Sequence, residues 1–149
     1  MFLLARKQRP RTTVVLDGSN VVSGGAGGGD VNGHLLISAV NLYQSHGYEV
    51  LPRMKRGTYD WMKITEQKGY NALRRITQKD SNPKLTFFGK NDDLYIINLA
   101  LERNAWIVTQ DTFEDKRIDG EEVKRERSLY PELPWPEIDD RTWGTEPRD

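Results

Sequence analysis

Apolar positions along the chain fall into short blocks that alternate between strand-like and helix-like spacing. Thr12 to Leu16, TTVVL, is a β-branched apolar run that ends at Asp17. A run apolar on both faces suits the centre of a parallel sheet. After a glycine-rich stretch, Ser23 to Gly33, comes HLLISAVNLYQSHG, where Leu35, Ala39, Leu42 and Tyr43 recur at helical spacing and Gly47 supplies a stop. Tyr48 to Leu51 reads as a second strand. Tyr59 to Lys79 reads as one or two helices interrupted near Gly69, with Leu73 and Ile76 inward. Asn82-Pro83 breaks that pattern, and Lys84 to Phe88 is a third strand. Asp92 to Asn104 is helical, with Leu94, Ile97 and Leu101 on one stripe, and Trp106 to Thr109 is a fourth strand. Phe113 to Leu129 is polar and expected to be helical in part.

Strands alternating with helices imply crossover connections and a central, mainly parallel sheet covered on both faces, an α/β three-layer sandwich. With 149 residues the chain has the length of one domain. The expected division is an N-terminal extension over 1–11, one folded domain over 12–129, and a tail over 130–149. That tail is rich in Pro and acid, and its Trp135 and Trp143 are expected to pack onto the body. No internal repeat is visible.

Composition narrows the chemistry. The chain has no cysteine, which removes disulfides, thiolate zinc sites, iron–sulfur clusters and thiol nucleophiles, and fits a reducing compartment. The N-terminal MFLLARKQRPR is too short in apolar residues for a signal-peptide core, and no segment is long and apolar enough for a membrane span. A soluble, cytoplasmic protein is the expectation. The 22 Lys/Arg balance the 22 Asp/Glu, but not locally. Arg53 to Lys90 holds ten Lys/Arg against three Asp/Glu, whereas Asp111 to Asp149 holds seven against thirteen. A basic middle can follow a phosphate backbone, although solvated helix surfaces look the same in isolation.

The carboxylates decide between these readings. In open parallel sheets, sites form beyond the carboxyl ends of the strands. Asp17 follows the first predicted strand, Asp92 and Asp93 open the helix after the third, Asp111 follows the fourth, and Asp115 lies one helical turn later. Each acid alone has an ordinary explanation as a turn residue, a helix cap or a solvated charge. Their shared position after strand ends is harder to ascribe to chance. Two carboxylates about 4 Å apart repel by roughly 4 kcal/mol at an effective dielectric of about 20, so such a group protonates or takes up a cation. Oxygen-only ligands suit Mg²⁺ or Mn²⁺, and such ions activate water toward a phosphodiester.

Other chemistries fit less well. The glycines of GGAGGGDVNG match neither phosphate-binding fingerprint. His34 and His46 are isolated, and Ser19 has no identifiable base. A phosphoacceptor receiver domain would carry its acidic pair after the first strand, not the third.

VVLDGSNVV (Val14 to Val22), followed by NDDLYIINLALERNAWIVTQDTFED (Asn91 to Asp115), closely resembles the NYN branch of the PIN-like ribonucleases. The likeness is greatest to the catalytic domain of the CCCH zinc-finger endoribonucleases, the Regnase group. It runs from about Thr12 to the acidic tail and is weakest between Arg53 and Pro83. DGSN, then DD opening a helix, then D-T-F-x-D after a further strand is a specific order. The resemblance implies a PIN-like fold and an endonuclease cutting single-stranded or loop RNA to leave a 5′-phosphate. By motif it implies that Asp17, Asp93, Asp111 and Asp115 hold Mg²⁺ or Mn²⁺, with Asn20 and Asp92 in support. Arg53, Lys55, Arg56, Arg74, Arg75 and Lys79 are the candidates for guiding RNA. Such contacts position the strand without reading its sequence.

The sequence departs from that group in its Gly-rich loop and in having no cysteine for a zinc finger, so the animal enzymes' choice of transcripts does not carry over. One copy carries little positive charge for wrapping long RNA, which leaves a place for a homodimer. The competing readings are a PIN-like RNA- or protein-binding module without turnover, a DNA nuclease, and a phosphatase acting on small molecules.

Overall fold

The computed structural model describes residues 11–24, 31–89, 92–109, 117–118 and 121–122, and for Asp92, Asp93, Arg117, Ile118, Glu121 and Glu122 the backbone alone. Four strands form one all-parallel sheet: β1 Thr13–Asp17, β2 Glu49–Lys55, β3 Thr86–Phe88 and β4 Trp106–Val108, in the order β3-β2-β1-β4. Between them run α1 Gly18–Val22, α2 His34–Ser45, α3 Arg56–Ile64, α4 Tyr70–Arg75 and α5 Asp92–Arg103. No described helix is long and apolar enough to cross a membrane.

Side-chain alternation along the central strands divides the interior into two layers. Val14 and Leu16 of β1, with Trp106 and Val108 of β4, pack with residues of α1 to α4, among them Val21, Leu36, Tyr43, Met62 and Leu73. Val15 and Ile107, one residue out of phase, pack with Ile96, Ile97 and Ala100 of α5. The continuous apolar run of β1 follows from this. Both of its faces meet a helix layer, and Val14, Val15 and Leu16 are fully buried. Truncating Leu16 to Ala would cost about 2–5 kcal/mol in such a site.

Several element boundaries differ from the expectation. β2 runs to Lys55, four residues past the predicted end at Leu51, and takes in Pro52. β3 pairs only with Arg53 to Lys55, so β2 lacks a neighbour on that side at Pro52, and the missing donor is tolerated. The α5 stripe is Ile96, Ile97 and Ala100, while Leu94 and Leu101 are half-buried. Lys79 lies beyond α4 instead of on it. α1 was not expected at all. Arg117–Ile118 and Glu121–Glu122, within the segment read as partly helical, pair antiparallel as β5 and β6. The Asp119-Gly120 sequence between them is the hairpin signal that the helical reading passed over. Trp135 and Trp143 lie outside the described residues.

Candidate active site

β1 sits where the strand order reverses. The chain leaves it through α1 and α2 for β2 on one side, while β4 lies on the other. The crevice at the carboxyl ends of β1 and β4 is therefore the topological switch point, the usual ligand position in an open parallel sheet. The register Leu16↔Val108 sets Asp17 opposite Thr109. By alternation both follow Val15 and Ile107 onto the α5 face of the sheet. The side chains meet as this predicts, the Thr109 hydroxyl donating to Asp17 Oδ2 at 2.9 Å.

Asp17 is only 8% exposed, and it is the residue preceding α1, yet its side chain makes no capping hydrogen bond to that helix. A carboxylate this buried needs donors or a cation, and Thr109 supplies one donor.

The DGSN element explains how Asp17 is held. A Cβ on Gly18 would lie 2.6 Å from the Arg53 carbonyl oxygen and 3.3 Å from Leu36 Cδ2 and Met54 Cβ. Only glycine lets the chain turn from β1 into α1 while touching the backbone of β2. Ser19 Oγ then accepts a hydrogen bond from the Lys55 N–H at 3.2 Å. Its hydroxyl joins α1 to the end of β2, consistent with its rejection as a nucleophile. Asn20 is half-buried on α1, and its carbonyl accepts from the Ser23 hydroxyl at 2.7 Å.

Asp92 and Asp93 open α5. Because β3 ends at Phe88 and α5 packs against β1 and β4, these positions come at the carboxyl edge of the sheet, on the face that carries Asp17. Asp111 and Asp115 lie outside the described residues. Among the described residues no group of three or more His, Cys, Asp or Glu side chains gathers. The donors that can be placed fit a hard divalent ion: a buried carboxylate, a hydroxyl beside it, and no His or Cys on that edge.

The six basic candidates separate into groups. Arg53 is the register partner of Asp17 across β1 and β2 and, in phase with Leu51, stands on the α5 face. It is half-buried. Its guanidinium donates to the Pro52 carbonyl through Nη1 at 3.1 Å, while its buried Nε has no hydrogen-bond partner. Lys55 ends the same strand. Arg56 instead pairs with Asp60 at 3.2 Å and lies over the Phe87 ring at 5.0 Å. An exposed pair of this kind contributes little to stability. Arg74 and Arg75 close α4, in the helix layer opposite α5. Reading the sequence missed Thr109. Its signal was present, since it is the first residue past β4 and shares its phase with Ile107.

Comparisons with curated proteins and with solved structures found no significant match. The family comparison matches residues 10–132 to the Zc3h12a-like Ribonuclease NYN domain. That span takes in all four strands of the parallel sheet, α1 to α5 and every acid named above, and the chain belongs to the Zc3h12a-like ribonuclease NYN domain family.

Proposed function

We propose that the chain is a metal-dependent endoribonuclease that hydrolyses phosphodiester bonds of single-stranded or loop RNA and leaves a 5′-phosphate. The observation that carries this reading is the disposition of Asp17. It is a buried carboxylate at the switch point, unused as a helix cap, on the sheet face where the Asp92-Asp93 pair opens α5. Asp17, Asp93, Asp111 and Asp115 would hold Mg²⁺ or Mn²⁺, with Asp92 and Asn20 in support; when bound, such an ion would supply an activated water and charge compensation for the phosphoryl group.

The chain's own groups do the rest. The Thr109 hydroxyl fixes the orientation of the Asp17 carboxylate, which keeps that oxygen set from rearranging when substrate arrives. Arg53, one strand over on the same face, and Lys55 at the end of β2 put positive charge at that edge for phosphate oxygens, while Arg56 is held by Asp60. The cysteine-free composition agrees with a cytoplasmic setting.

The test is incubation of wild type and Asp93→Asn with labelled mixed-sequence RNA, with and without chelator. Wild type should cut with Mg²⁺ or Mn²⁺ and stop when the ions are removed. Asp93→Asn should be inactive with an unchanged circular dichroism spectrum. Equal cutting by both proteins would refute the assignment. RNA binding without cutting by wild type over hours would favour a module without turnover, and parallel assays on single-stranded DNA and a chromogenic phosphate ester would identify the other two alternatives.

A further inference from the structure

A groove of 620 Å³ lies on the helix layer away from α5, where the segment between α3 and α4 crosses the start of α2. Its backbone is pinned. Gly33 N donates to the Lys68 carbonyl at 2.7 Å, Val31 N donates to Gln67 Oε1 at 3.3 Å, and Asn32 bridges to Lys68 in parallel. The two segments touch through glycines. A Cβ on Gly33 would fall 2.5 Å from the Gly69 carbonyl oxygen, and Gly69 takes φ +80°. The groove is therefore built before any ligand arrives.

Its lining has a definite chemistry. Lys63, Lys68 and Arg75 face one acid, Glu66, with His34 alongside. Tyr70 forms part of the wall, and its ring is braced by Tyr59 at a centroid distance of 5.0 Å. Three cations beside a held aromatic ring, in a volume within the range of small-ligand sites, suit a nucleotide with its phosphates. The groove lies in the helix layer opposite the sheet face that carries Asp17, and α1 links the two. α1 leaves directly from Asp17, has a rise of about 7.5 Å, and ends at Val22, whose carbonyl accepts from Asn32 N at 2.8 Å.

We propose that this groove is a subsite for single-stranded RNA that passes around α1 from the acid edge. Lys63, Lys68 and Arg75 grip phosphates, and the Tyr70 ring stacks a base. This rests on the ribonuclease reading for its substrate, but it concerns binding alone. Only Arg75 of its residues was foreseen as an RNA contact.

The experiment measures binding of a fluorescein-labelled, mixed-sequence 12-nucleotide single-stranded RNA by anisotropy, in the Asp93→Asn background and with chelator present. Lys63→Glu with Arg75→Glu should weaken binding at least tenfold. Losing two phosphate contacts should reduce the slope of log affinity against log salt by about 1.4. Lys84→Glu with Arg103→Glu, the same charge change near the opposite edge of the sheet, should leave affinity within twofold. Tyr70→Leu should weaken binding without changing the salt slope. Melting curves verify that each variant is folded. The proposal is overturned if the groove variant binds within twofold of its parent, if the control pair loses as much, or if a duplex of the same sequence binds and responds equally. A wild type that cuts no RNA, combined with the expected binding losses, would remove the nuclease reading and leave the groove standing.

Discussion

Gly18→Ala probes the coupling between the β1–α1 turn and the acid edge. The added Cβ would sit 2.6 Å from the Arg53 carbonyl oxygen, about 0.8 Å short of ordinary contact, and that oxygen belongs to a strand paired on both sides. It cannot swing away as a side chain could. Leu36 Cδ2 and Met54 Cβ, both at 3.3 Å, must also yield slightly. Overpacking of this kind costs about 1–3 kcal/mol, and the better helix propensity of Ala offsets at most about 1 kcal/mol. A net loss of about 1–2 kcal/mol lowers the melting temperature by roughly 3–6 °C for a domain of this size. Asp17 is the adjacent residue, and a displacement near 1 Å at a reacting centre can cost about 100-fold in rate. Calorimetry and initial rates of RNA cleavage read the two effects, with Gly57→Ala as the control because nothing lies within 4 Å of its Cβ position. A Gly18→Ala protein that melts and cuts like wild type would refute the argument. One that loses stability while retaining full rate would refute the link from the turn to Asp17.

Three further outcomes are expected. Thr109→Val removes the donor to Asp17 Oδ2 and should lower stability by about 1–2 kcal/mol, while Thr109→Ser should retain it; urea midpoints at constant m-value check this. Tyr43→Phe should raise the melting temperature, because the Tyr43 hydroxyl is buried without a hydrogen-bond partner and such a group costs about 1–3 kcal/mol. Burial, then the neighbouring Tyr70, pushes the Tyr59 phenol up from 10.0 to about 12. Its raised value contributes stability that is whole below pH 10 and is lost as pH rises toward 12, so urea midpoints should fall less steeply above pH 10 in Tyr59→Phe than in wild type.

The frame of the fold was legible where one physical cause dominated. TTVVL admits burial on both faces and little else, and Asn82-Pro83 stops any helix. Sequence reading erred where tertiary context outweighed a local rule. The second strand reads as ending at Leu51, but Pro52 is tolerated within it because the missing N–H is costly only where a strand is fully paired, and β3 pairs with β2 only from Arg53 onward. On α5 the buried stripe is shifted from the predicted one because Ile96 and Ile97 both reach the sheet, which a single-file helical pattern does not anticipate. The five-residue α1 is below the length that periodicity can detect. It exists because Gly18 permits the close approach and Ser19 ties it to Lys55.

Of the candidate site, the common edge of Asp17 and the Asp92-Asp93 backbone was legible, because parallel topology alone carries strand ends there. Its cationic partners were not, because linear proximity does not specify a face. Arg53 and Arg56 are three residues apart, yet Arg53 stands in register with Asp17 while Arg56 is turned into α3 and paired with Asp60. Lys68 and Arg75 reach the same groove as His34, which precedes them by more than thirty residues, through a backbone contact that depends on two glycines. Under the proposed nuclease function, the charge excess in the middle of the chain does not say which cations meet phosphate; the register of β1 with β2 and the Gly33–Gly69 contact do. Of the six basic residues named from the sequence, Arg53 is consequently the one whose loss should affect turnover most directly, and Arg75 the one whose loss should affect affinity.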